Sequence, residues 1–118
     1  MTKKLDPITI NGKEQNFNFG VKFLNILDDT DGLIQNDVSF GFGLQRIYPQ
    51  LQGGAVNALA KALHAAAYGS KVVASLDDYY EYLESLELKP LEKLLDDTLK
   101  AMEGSTVLQL QLKKLKQA

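Results

Sequence analysis

The 118-residue chain has no cysteine, one histidine and one arginine. Without cysteine there can be no disulfide, no thiolate zinc site and no cysteine nucleophile, and such a composition suits a reducing compartment. His64 has no second histidine with which to hold a metal. Its helical neighbours at three and four positions are Ala60, Lys61, Ala67 and Tyr68, so no carboxylate on the same helix would orient it as a general base. Long apolar runs are missing too. The most apolar stretch, residues 55–68, is broken by Asn57, Lys61 and His64 and is too short to cross a bilayer. The opening Met1-Thr2-Lys3-Lys4 leads into Leu5-Asp6-Pro7, not into the apolar core of a signal peptide. A soluble intracellular protein is expected. With 45% hydrophobic residues it holds enough apolar surface for one domain around one modest core.

Charge is nearly balanced overall, at −2, but unevenly placed. Residues 75–103 carry nine acids against Lys89, Lys93 and Lys100, a local net of −6; residues 104–118 carry Lys113, Lys114 and Lys116 with no acid, a local net of +3. The acidic part reads as two solvated helix faces, with an electrostatic docking surface as the sharper alternative. A nucleic-acid ligand is not expected, because a phosphate backbone calls for a basic face and Arg46 with three terminal lysines makes a poor one.

What the chain does contain is a clear change of period. Ile8-Thr9-Ile10 and Gln15-Asn16-Phe17-Asn18-Phe19 alternate apolar and polar residues, as half-buried strands do. Asn11-Gly12 between them accepts the positive φ angles of a tight two-residue hairpin. After Gly20 the pattern is helical. A first helix is predicted over 21–28, with Phe23, Ile26 and Leu27 on one face, Leu24 at its edge, and Asp28-Asp29-Thr30-Asp31-Gly32 as its stop. Phe40, Leu44, Ile47, Tyr48 and Leu51 form a second stripe, in which Pro49 should end or kink the helix. Phe42 projects to the other side, and the flanking Gly41 and Gly43 allow close backbone approach. A third helix spans 55–68 with Val56, Leu59, Ala60, Leu63 and Ala67 on its face. Ser75 and Asp78 make a capping box for a fourth, whose stripe of Leu76, Tyr79, Tyr80, Leu83 and Leu86 leaves Tyr82 aside. Pro90 suits the first turn of a fifth, whose face is Leu91, Leu94, Leu95, Thr98 and Met102. Residues 105–118 fit either a strand or a helix, the helix being favoured by Leu108, Leu112 and Leu115; they are also a candidate flexible or partner-binding tail. The expected fold is α+β, mostly α: one domain over 1–118 with an N-terminal hairpin on five or six short helices, since two strands alone are marginal in water.

No residue set supports chemistry. If Gly32 is aligned with the sixth position of a calcium loop, its first and twelfth ligands fall on Leu27 and Val38, which have no side-chain oxygen. Gly41-Phe42-Gly43 begins like a dinucleotide loop, but the third glycine position is Arg46 and no buried strand precedes it. Asp77-Asp78 and Asp96-Asp97 sit on polar helix faces, where water keeps them ordinary. No catalytic residue, metal or cofactor is expected, and the chain does not read as an enzyme. Aromatics off the stripes, Phe42 and Tyr82, are the usual anchors of a protein interface. With Phe40, Leu44, Ile47 and Tyr48, whose stripe is expected to face the core, they form the candidate partner-binding set.

The order of these elements resembles the tail assembly chaperones of long-tailed, siphovirus-type phages and prophages of Gram-positive bacteria. The resemblance rests on ITINGKEQNFNFG (8–20), VKFLNILDD (21–29), VSFGFGLQRIYPQLQGG (38–54), ALAKALHAAAYG (58–69), SLDDYYEYLESL (75–86) and LEKLLDDTLKAME (91–103). It implies a non-catalytic protein of the host cytoplasm, absent from the finished virion, which coats the helix-rich tape-measure protein, keeps it soluble and helps recruit tube subunits. The implied partners are the tape-measure protein, the major tail protein, a longer frameshifted form of the chain and further copies in a homo-oligomer; neither nucleic acid nor membrane is among them. A head–tail joining or tail-completion protein retained in the virion is the alternative, and a host enzyme or regulator the third reading.

Overall fold

The computed structural model describes residues 5–31, 34–35, 38–39 and 43–117, with side chains over 5–30 and 43–113. Strands β1 (Ile8–Ile10) and β2 (Lys13–Gln15) are followed by α1 (Val21–Asp31), a second pair β3 (Ile34–Gln35) and β4 (Val38–Ser39), then α2 (Gly43–Gln52), α3 (Val56–Ala66), α4 (Leu76–Glu84), α5 (Leu88–Glu103) and α6 (Thr106–Gln117). The expected α+β, mostly α, architecture is present.

The first hairpin turns where its sequence requires. Ile10 pairs with Lys13, and Asn11 and Gly12 between them have φ of 51° and 75°, the signs of a type I′ turn that matches strand twist. β2 is shorter than the alternation suggested, ending at Gln15. Beyond it the backbone bonds to helix ends instead of to a strand. Asn16 N donates to Ser70 Oγ (2.8 Å), Asn18 N donates to Ala66 O (2.9 Å), and Phe19 O accepts from Ser105 Oγ (2.6 Å). Phe17 and Phe19 still turn inward, because an extended chain keeps the period of two without a partner strand.

One helix boundary differs from the sequence reading, and another settles an alternative it left open. α1 continues past Asp28 to Asp31, because Asp28 Oδ1 accepts from Gly43 N (3.0 Å) and so serves the start of α2. The described part of α2 begins at Gly43, and the pair β3–β4 precedes it; Phe40 lies outside the described residues. α2 also runs through Pro49 to Gln52, with buried Leu51 anchoring the turn beyond the proline.

α3 is the central element. Seven of its eleven residues are buried, five of them alanine (Ala58, Ala60, Ala62, Ala65, Ala66), so α1, α2, α4 and α5 all pack against it. Its predicted face is correct except at Val56, which is 42% exposed. At α4 the capping box is complete: Ser75 Oγ accepts from Asp78 N (3.1 Å) and Asp78 Oδ2 accepts from Ser75 N (3.2 Å). α5 starts at Leu88, which places Pro90 in the first turn, where its missing N–H costs nothing. Residues 106–117 form a helix whose Leu108 and Leu112 enter the core.

Candidate partner-binding surface

The polar interior is structural. Gln15 is fully buried in the hairpin and completely satisfied: its Nε2 donates to Val72 O (2.9 Å), while its Oε1 accepts from Ala74 N (3.0 Å) and from the Tyr79 hydroxyl (2.7 Å). One side chain thereby joins β2, the segment before α4, and α4 itself. Burial pushes the Tyr79 hydroxyl well above the ordinary tyrosine range. His64 packs edge-on to the Tyr79 ring, with centroids 5.8 Å apart, and burial lowers its pKa. Its neighbourhood is Thr30, Lys61, Ala65 and Leu76. Among the described residues no three His, Cys, Asp or Glu side chains stand close enough to hold a metal ion.

Of the six candidate partner-binding residues, Phe40 and Phe42 lie outside the described residues. Leu44, Ile47 and Tyr48 are brought together on the inner face of α2 and are buried. Their position follows from Gly43. A Cβ there would lie 2.5 Å from the Leu27 carbonyl carbon and 2.8 Å from Asp28 N, so only glycine lets α2 start against the α1 backbone. The Tyr48 hydroxyl donates to Glu103 Oε2 (2.7 Å). Burial first, then that bond and the carboxylate's charge, raise its pKa to about 12. Tyr82 is half-buried, apart from the α2 set. It walls a hollow of about 200 Å³ with Leu5, Ile8, Leu86 and Leu94.

A second surface went unnoticed in the sequence. Ala55, Val56 and Leu59 at the start of α3 face Leu88, Leu91 and Leu95 of α5 across a groove of about 210 Å³ that is almost wholly apolar. Leu88 is 69% exposed, the most of any large apolar side chain described. Its signal was present, since 88, 91 and 95 share one helix face. The predicted stripe of the fifth helix opens at Leu91, so it stops short of Leu88 at the groove's end.

A family model described as phage tail assembly chaperone protein, TAC, matches residues 7–117. The chain belongs to that family. No curated protein and no solved structure matches it. Among the described residues no helix is long and apolar enough to cross a membrane.

Proposed function

We propose that this chain is a non-catalytic chaperone that binds a tape-measure protein in the host cytoplasm, keeps it soluble, and assists polymerisation of the tail tube without entering the finished virion. The observation that carries this is the family match over residues 7–117. Physical chemistry favours it. An extended helical client calls for apolar contact repeated over many copies, and full burial of one large apolar side chain is worth about 1.5–3 kcal/mol. A few anchors per copy then suffice after ordering costs, and multiplicity supplies avidity. Phe42 and Tyr82 are the proposed aromatic anchors, with Leu44, Ile47 and Tyr48 holding the intervening helix from inside.

The test is co-expression with a tape-measure protein from the same phage or prophage. The client should move from pellet to supernatant and co-purify with the chain, and mass spectrometry of purified virions should not find the chain. A client that stays insoluble and unbound would end the proposal, and recovery of the chain in virions would favour a structural joining protein instead. Within this reading, Phe42→Ala should weaken co-purification at unchanged melting temperature, and Tyr82→Ala should weaken it with a modest fall in melting temperature, because that side chain is half-buried against the core. If both match wild type, the client contact lies elsewhere.

A further inference from the structure

Asn11 is one of six asparagines and alone among them is followed by glycine; Asn16, Asn18, Asn25, Asn36 and Asn57 precede Phe17, Phe19, Ile26, Asp37 and Ala58. It also tethers the hairpin. Asn11 Nδ2 donates to Asp78 Oδ1 (2.9 Å), which ties the β1–β2 turn to the start of α4. The same carboxylate has two further duties: its Oδ2 accepts from Ser75 N in the capping box (3.2 Å) and lies 3.9 Å from Lys13 Nζ. Asn11 and Gly12 are both exposed, and no heavy atom beyond the chain neighbours lies within 4 Å of the place a Gly12 Cβ would take. Water therefore reaches the turn, and no side chain crowds the Gly12 nitrogen.

We propose that Asn11 is a site of spontaneous deamidation, and that its bond to Asp78 makes the fold both slow the reaction and respond to it. The Gly12 amide gives its proton to solvent hydroxide, and its nitrogen bonds to Asn11 Cγ. The Cγ–Nδ2 bond then breaks, and Nδ2 leaves as ammonia with a proton taken from water, which regenerates the hydroxide. Water opens the succinimide ring at one of its two carbonyls, leaving aspartate or isoaspartate at position 11. Closing the ring folds the side chain back on its own backbone, so the bond to Asp78 has to break first. The folded chain thus reacts through an opened hairpin tip, more slowly than the unfolded chain. Either product then meets Asp78 badly. A carboxylate only accepts hydrogen bonds, so the donor 2.9 Å from Asp78 Oδ1 is replaced by a second negative acceptor. The Asp78 side chain is 22% exposed, so water and salt screen the repulsion only in part. Isoaspartate also adds a backbone atom to a two-residue loop, which can then no longer hold Ile10 opposite Lys13. With either product the β1–β2 turn comes away from α4.

The full-length chain held at mildly alkaline pH, with and without urea, and followed by ion exchange and peptide mass mapping, tests this. Position 11 of the native chain should gain the mass and the negative charge of an acid over days, ahead of the five other asparagines, and several-fold faster in urea. Asn11→Gly keeps a residue at ease with positive φ and should not gain that charge. Asn11→Asp, the product made by mutation, should melt a few degrees below wild type, and the gap should narrow at high salt. Adding Asp78→Asn to it restores an amide–carboxylate pair in reverse, with the amide oxygen still able to accept from Ser75 N, and should return most of the lost melting temperature. The proposal is overturned if Asn11 stays intact in the native chain while converting in urea, or if it converts no faster than the other five. It is equally overturned if Asn11→Asp melts like wild type, or if Asp78→Asn does not rescue it.

Discussion

At the scale of single residues, the polar side chains that matter are those the core has enclosed. Replacing Gln15 by Ala removes one side chain but strands the Ala74 amide, the Val72 carbonyl and the Tyr79 hydroxyl together. An unfolding penalty of about 2–4 kcal/mol is expected by urea denaturation. Tyr79→Phe leaves Gln15 Oε1 with the Ala74 amide and should cost less, about 1–2 kcal/mol. If the two variants lost equally little, the network would not be holding the hairpin down. Titration follows from the same burial. Tyr48 and Tyr79 have pKa values raised in the fold, so they contribute stability that is complete below the ordinary tyrosine pKa, about 10. That stability is lost as pH rises through the folded values, about 12 for Tyr48. His64 has the opposite sign: its folded pKa is lowered, so its contribution is present above about 6.5 and fades as pH falls below it. Melting temperature should therefore fall on both sides of a neutral plateau. Tyr48→Phe should blunt the alkaline fall and His64→Phe the acid one, as followed by circular dichroism.

Between elements, the decisive contact is backbone on backbone at the start of α2. Gly43→Ala would drive a methyl group to within 2.5 Å of the Leu27 carbonyl carbon, where no side chain can rotate away. The α1–α2 pair would have to separate, and a destabilisation of about 2 kcal/mol or more is expected. An alanine variant with wild-type melting temperature would show that the two helices do not meet this closely. α6 is joined to the rest by Leu108, Leu112 and the Ser105–Phe19 hydrogen bond. Truncation after Gly104 would uncover the apolar surface that these leucines cover, and should lower the melting temperature. A truncated chain that melts like the full one would mark α6 as an appendage.

For the molecule as a whole, a radius of gyration of 13.8 Å is close to the roughly 13.5 Å expected of a compact domain of this length, and one hydrophobic cluster takes in side chains from both ends of the chain. Unfolding should thus be a single cooperative event, with far-ultraviolet circular dichroism and tyrosine fluorescence giving superimposable curves. Two separate transitions would mean that the hairpin or α6 folds independently. Among the described residues, the α3–α5 groove and the Tyr82 hollow leave apolar area on the surface of this compact body.

What the sequence determined alone is whatever local stereochemistry dictates. Asn11-Gly12 had to turn, Ser75 with Asp78 had to start a helix, and the leucine and alanine spacing of 56–66 and 91–103 had to give amphipathic helices, because each depends on residues within one turn of one another. The order of those pieces was enough to place the chain in its family. Tertiary structure decided where two elements meet. Gln15 looked like the polar side of a strand until α4 and residues 72–74 enclosed it. Val56 looked like core until α5 proved to pass it at the distance of an open groove. Leu44, Ile47 and Tyr48, expected from their stripe to face the core beside the candidate surface, are buried in it. Burial belongs to pairs of surfaces, and periodicity describes only one of them.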